Sequence, residues 1–209
     1  MHTLSGRFLV LALRHRLCPS GSCTADACGE RAVLLQVCSA VFNPTDANLL
    51  AVGTSCFARL YDIRRLDTPL GSVTAPKAVR YVRFMGKHLV AASVDSVLCM
   101  YDTERMASAA GASALQPVRK FCGHLNSRNF VGLACSQQGY MFTGSENNSV
   151  VMYHRSVPAP VAEQPVVDTD DMGGGAAKAT VSCVAVTKAL DCVVTGGTTG
   201  WVNVMKVKS

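Results

Sequence analysis

Short runs in which apolar and polar residues alternate recur along this chain. One of them appears four times, as GTSCFARLYD (53–62), SVDSVLCMYD (93–102), SENNSVVMYH (145–154) and GTTGWVNVMK (197–206). Alternation with a period of two places one face of a strand on a core and the other toward solvent. Each run opens on small residues that favour a turn, so the repeated unit is a tight turn leading into a half-buried strand. A second apolar strand precedes each run, at 49–53, 88–93, 140–144 and 192–196, and a third precedes that, at 37–42, 79–84, 130–135 and 181–186. β-branched and aromatic residues dominate these segments, and Asn-Pro, Gly or Lys turns bound them.

Tyr61, Tyr101, Tyr153 and Met205 align as the same position in the four units, spaced 40, 52 and 52 residues apart. Three strands per unit at a spacing near forty residues is the period of a WD-type β-propeller blade. The fold expected is all-β, about four blades of a propeller over 35–209, with 1–34 unassigned. The longer spacings reflect an Ala/Ser/Gly stretch at 106–115 and a Pro-, Asp- and Gly-rich one at 157–179. Both read as exposed loops, the second as a mobile one. Outer fourth strands are expected at 70–73 and 118–121, with 166–168 as the candidate in the third unit. The last unit shows three strands, and 8–13 is the candidate for completing it from the N-terminal end.

Of 209 residues 49% are hydrophobic and 16% charged, with a mean hydropathy of +0.23, a balance that fits a folded, strand-rich chain. No apolar run approaches the roughly 18 residues of a membrane helix. The stretch 8–13 is short and followed by Arg14, His15 and Arg16, unlike a secretory signal. The net charge of +6 is scattered, which points to neither a nucleic-acid nor a membrane partner. Of ten cysteines, Cys38, Cys99, Cys135, Cys183 and Cys192 lie in apolar runs and read as free thiols, so a nuclear or cytoplasmic location is expected. Cys18, Cys23 and Cys28 lack the paired spacing of a zinc site, so no metal is expected there. Hydrolase, phosphate-loop and metalloprotease signatures are all missing, and neither catalytic residues nor a cofactor is read from this chain.

The segments FNPTDANLLAVGTS, ARLYDIRRLDTPL, KAVRYVRF, FCGHLNSRNFVGLA and TGSENNSVVMYH resemble the C-terminal WD-repeat propeller of the constitutive-photomorphogenic E3 ubiquitin ligase family, with the suppressor-of-phytochrome-A relatives close behind. The most specific stretch is GH-x-N-x-x-NFVGL followed by GSENNS, carried by Gly123, His124, Asn129 to Leu133 and Ser145 to Ser149. The resemblance implies a seven-bladed ring preceded by a RING finger and a coiled coil, whereas this sequence shows about four blades and no RING pattern. It also implies an upper face that binds short peptides carrying a Val-Pro pair near acidic residues. Two positions carry over: Lys77, before the strand starting at Val79, and Phe130 of NFVGL. A lysine at a strand entrance attracts acidic residues, and an aromatic at a channel mouth offers an apolar surface. Ser127 stands where the family usually has an acidic residue.

In WD blades the His of GH joins a network with a Ser or Thr, an Asp in the tight turn and a Trp on the third strand. The counterparts here are His124, Ser145, Asn147 and Tyr153. Tyr61, Asp62, Ile63 and Arg64 resemble the WD-x-R box that some propellers present to the adaptor of cullin-4 ligases, with Asp62 and Arg64 as the contacting pair. Two functions compete. One is a substrate-recognition propeller for Val-Pro peptides whose ligase activity resides in a longer protein or complex. The other is a truncated or diverged WD scaffold without peptide reading, for which Ser127 speaks. A partial ring exposes strand edges, which upstream residues or a second copy would cover.

Overall fold

The repeat becomes four antiparallel sheets in a computed structural model that describes residues 36–75, 77–108, 115–128, 130–166 and 179–207. The first sheet is built from β1 (Val37–Phe42), β2 (Leu49–Thr54), β3 (Phe57–Asp62) and β4 (Gly71–Thr74). The second holds β5 (Val79–Met85), β6 (His88–Ser93), β7 (Val97–Asp102) and β8 (Arg119–Cys122), with the short helix α1 (Thr103–Ser108) between its last two strands. β9 (Leu133–Cys135), β10 (Tyr140–Gly144), β11 (Ser149–His154) and β12 (Val157–Pro165) make the third. β13 (Val181–Val186), β14 (Cys192–Gly197) and β15 (Val202–Lys206) make the fourth. Within each sheet the strands follow chain order, so each is a simple meander. Residues 35–209 form one compact unit, whereas Met1–Leu34, including the candidate strand at 8–13 and Cys18, Cys23 and Cys28, lies outside the described residues.

The first strands of successive sheets lie side by side, β1 against β5, β5 against β9 and β9 against β13. Middle strands supply the core. In β6 and β10 nearly every residue is buried, because a sheet covered on both faces keeps little polar character. One cluster packs Ala51, Leu60 and Val73 of the first sheet on Val82, Phe84 and Leu89 of the second. The next packs Val90, Leu98 and Phe121 on Leu133, Met141 and Tyr153, and a third joins Phe142 and Val150 to Val181 and Val193. Glycines permit the closest approach. A Cβ on Gly132 would lie 2.4 Å from the backbone nitrogen of Val184, so the third and fourth sheets meet there backbone to backbone.

Two stretches expected to be loops carry structure. Within 106–115, Met106 is buried on the last turn of α1, which Asp102 caps by accepting hydrogen bonds from the Glu104 and Arg105 amides. Within 157–179, residues 157–165 are not a mobile loop but β12, the fourth strand of the third sheet, where 166–168 had been the candidate. β12 is an exposed edge, so Pro158, Pro160 and Pro165 cost it little: an outer strand needs no N–H on its solvent side. The acidic and glycine-rich remainder, 167–178, lies outside the described residues. The fourth sheet has three strands, and Val202 and Val204 of β15 are 68% and 67% exposed.

Candidate functional site

The first strands carry the site because of an irregularity they share. Val79 pairs with Ser93 and Tyr81 with Ala92, which leaves Arg80 as an extra residue in β5. β1 slips in the same place around Cys38, and β13 around Ser182. Such bulges re-aim side chains at sheet ends. Here they converge: Arg80 Nη1 donates to Cys38 Sγ at 3.4 Å, and the Tyr81 hydroxyl donates to the Ser182 carbonyl at 3.4 Å. Three sheets thereby meet on one rim.

Phe130 completes it. The ring is 43% exposed, meets Tyr81 edge-on at 6.4 Å between centroids, and has the Arg80 guanidinium carbon 4.5 Å from its centre. Arg83 in turn lies 5.6 Å from the centre of the Tyr81 ring. Partial burial pushes the Tyr81 phenol above its ordinary pKa, against the pull of the Arg83 charge, so it remains a neutral donor. Lys77 is exposed in the turn entering β5, three residues before Arg80.

The segment carrying Phe130 is held from two sides. On the β6–β7 turn, Ser96 Oγ accepts the Asn126 amide at 2.8 Å and donates to its carbonyl at 3.1 Å, while Asn126 Nδ2 donates to the Ser93 carbonyl. On the β10–β11 turn, Ser145 Oγ accepts the Leu125 amide at 2.9 Å and Glu146 N donates to the Leu125 carbonyl. The Glu146 carboxylate accepts three further bonds, from the Ser127 amide, the Ser127 hydroxyl and the Arg128 amide, at 2.9, 2.7 and 2.8 Å. Ser127 thus brings no acidic group of its own, and Glu146 supplies one at that turn. Neither Arg80 nor Glu146 was singled out by sequence. A register shift leaves no mark on apolar alternation, and Glu146 lies unremarked inside GSENNS.

The four network residues do not form one chain of bonds. His124 and Tyr153 do meet: the Tyr153 hydroxyl accepts the His124 amide and shares a hydrogen bond with His124 Nδ1 at 3.0 Å. Ser145 acts through the Leu125 amide rather than through the imidazole. Asn147 turns away, donating to Glu163 of β12 and accepting from Ser149. Burial drives the His124 pKa down to about 4, so the ring is neutral, and its Nε2 has no hydrogen-bond partner among the described residues. Gly123 must precede it without a side chain. Its φ is +135°, and a Cβ there would lie 2.6 Å from Pro160 Cγ.

Asp62 and Arg64 are far from Phe130 along the fold, at the end of β3 away from its 54–57 turn. Arg64 grips Asp62 with Nε and Nη2, the latter at 2.7 Å, and these bonds hold the Asp62 carboxyl at a pKa of about 2. Among the described residues, no group of three or more His, Cys, Asp or Glu side chains is placed to hold a metal ion, and no helix is long and apolar enough to cross a membrane.

Comparison with known proteins gives the rim a context. No family model matches the chain. It is 32% identical over 174 residues to the E3 ubiquitin-protein ligase COP1 of Arabidopsis thaliana, which covers 81% of this chain and 24% of the relative. With Protein SPA1-RELATED 3 of the same plant it shares 38% identity over 141 residues, 66% of this chain and 16% of the relative. The chain is homologous to the COP1 and SPA proteins. WD repeat-containing protein RUP1 of Arabidopsis thaliana is 39% identical over 129 residues, 60% of this chain and 31% of the relative. The chain thus spans between a sixth and a third of the length of these relatives. The computationally designed Ika4 protein shares the fold at 15% identity, with a TM-score of 0.60 over 83% of this chain and 92% of that one. The four sheets of this COP1 and SPA homologue are blades of a partial WD-repeat propeller, an interaction domain of the kind found in ubiquitin-ligase-related proteins.

Proposed function

We propose that this propeller recognises substrates for a ubiquitin ligase: its rim binds acidic Val-Pro peptides of target proteins, and other segments or chains supply the transfer chemistry. The observation that carries the reading is Phe130, an aromatic ring held half-exposed at the mouth by two turns, with Tyr81 at its edge. Energetic anchors of peptide sites are aromatic surfaces of this kind, backed by a rigid scaffold. Arg80 lies against the ring and Lys77 stands three residues before it in the chain, and neither is ion-paired among the described residues, which favours a ligand bearing carboxylates. Glu146 keeps an acidic group at the Ser127 turn, which weakens the case for a scaffold without peptide reading. The homology to an E3 ubiquitin-protein ligase supports the ligase setting.

The same reading places the protein in the nucleus or cytoplasm, where its seven described cysteines, all unpaired in the structure, would stay reduced. A cullin-4 adaptor is the further partner it carries, meeting the Asp62–Arg64 corner. The test is fluorescence anisotropy with a labelled acidic Val-Pro peptide. Wild type is expected to bind in the micromolar range, and Lys77→Glu and Phe130→Ala each to weaken binding by about tenfold, or ~1.4 kcal/mol, with the fold intact. Wild-type affinity in both variants would refute the proposal.

A further inference from the structure

These two cations differ in what holds them. Lys77 is solvated, whereas Arg80 is drawn inward as the extra residue of β5. Its guanidinium carbon lies 4.5 Å from the centre of the Phe130 ring, and among the described residues Nη1 reaches only the sulfur of Cys38, at 3.4 Å. Nε is buried with no hydrogen-bond partner among the described residues. A guanidinium presents five donors in a planar fork that suits a carboxylate. A thiol is a weak acceptor and a ring face holds a cation less firmly than a desolvated carboxylate does, so Arg80 rests on partners that a carboxylate displaces.

Ring and cation also compete for one surface. While the guanidinium covers that face of Phe130, no valine or proline can lie on it. Building on the peptide-rim reading above, we infer that Arg80 determines the specificity of the rim: it reads a carboxylate side chain of the incoming peptide, and in turning to it uncovers Phe130 for the apolar pair. One side chain thereby makes apolar recognition conditional on an acidic residue.

The test compares three peptides by anisotropy on the full chain: the acidic Val-Pro peptide, a counterpart with its acidic residues changed to Gln and Asn, and one with Val-Pro changed to Ala-Ala. Wild type is expected to prefer the acidic peptide over its neutral counterpart by about tenfold. Arg80→Gln is expected to shrink that preference to about twofold while binding the neutral Val-Pro peptide at least as tightly as wild type, because nothing covers the ring. An Arg80→Gln protein that binds both peptides more weakly by the same factor would show a packing role and overturn the inference. Arg80→Lys keeps the charge and most of the stem, and covers the case in which Arg80→Gln does not fold. It is expected to lose several-fold of the preference, and an unchanged preference would overturn the inference. The two readings fail separately. Wild type that binds acidic and neutral Val-Pro peptides alike, but not Ala-Ala, sinks the role of Arg80 and leaves the rim standing. Wild type that binds none of the three sinks both.

Discussion

Replacing Tyr153 by Phe removes one oxygen from the interior of the third blade and nothing else. Tyr153 is fully buried, and its ring packs edge-on against Phe121 at 5.8 Å, a contact that Phe retains. The hydroxyl serves two groups of His124, accepting its amide and sharing a hydrogen bond with Nδ1, both at 3.0 Å. His124 is 2% exposed, so solvent cannot replace the lost partner. Each buried polar group left unsatisfied costs roughly 1–3 kcal/mol, offset in part because the hydroxyl no longer has to be desolvated. The net loss is about 2–4 kcal/mol, a fall in melting temperature of roughly 5–15 °C for a unit of this size. Urea titration followed by circular dichroism measures it. Tyr101 is the internal control, since it occupies the same position in the second blade, where Ala75 and Pro76 replace the Gly-His pair. Tyr101→Phe should cost less than about 1 kcal/mol. If Tyr153→Phe costs no more than Tyr101→Phe, the hydroxyl does not brace the blade and the argument fails.

Acid should expose the same residue. Folded His124 titrates near 4 and the unfolded imidazole near 6.5, because burial disfavours the charged ring. The unfolded chain therefore takes up the proton first, and the contribution is whole above pH 6.5 and drains away as pH falls toward 4, by on the order of 3 kcal/mol. Urea midpoints from pH 7 to 4 measure this, and a His124→Gln protein with an equally steep acid loss would contradict it. Glu146→Ala frees the Ser127 and Arg128 amides and so loosens the support of Phe130; peptide affinity should drop about fivefold while stability changes by less than about 1 kcal/mol. A variant that binds as wild type would detach Glu146 from the site. Gly132→Ala drives a methyl into the backbone of β13, which cannot move cheaply, and should cost about 1–3 kcal/mol by thermal melting. An unchanged melting temperature would mean that the blades part there without penalty.

Most of the blade architecture could be read from alternation and turns, because middle strands buried on both faces and turns rich in small residues each leave a pattern. β12 left none of that kind. VPAPVAEQP has three prolines and no buried position, and only its register on β11, held by Glu163 to Ser149 and Asn147, makes it a strand. α1 is too short to show a helical period, and its one legible signal is the cap at Asp102 before Glu104. At the site, Lys77 and Phe130 were reached through resemblance, since nothing local distinguishes them from a solvated turn and a core aromatic. Arg80 and Glu146 depend on where separate blades meet, information that spacing along one strand does not contain.

The most direct test of the account compares two peptides on the wild-type protein: an acidic Val-Pro peptide and the same peptide with Val and Pro changed to Ala, titrated by anisotropy at one salt concentration. The account predicts micromolar binding of the first and at least about tenfold weaker binding of the second, as expected when Phe130 holds the apolar pair. Equal binding of the two would mean that the rim attracts acidic chains through charge alone, and would contradict the claim that this propeller reads a Val-Pro motif.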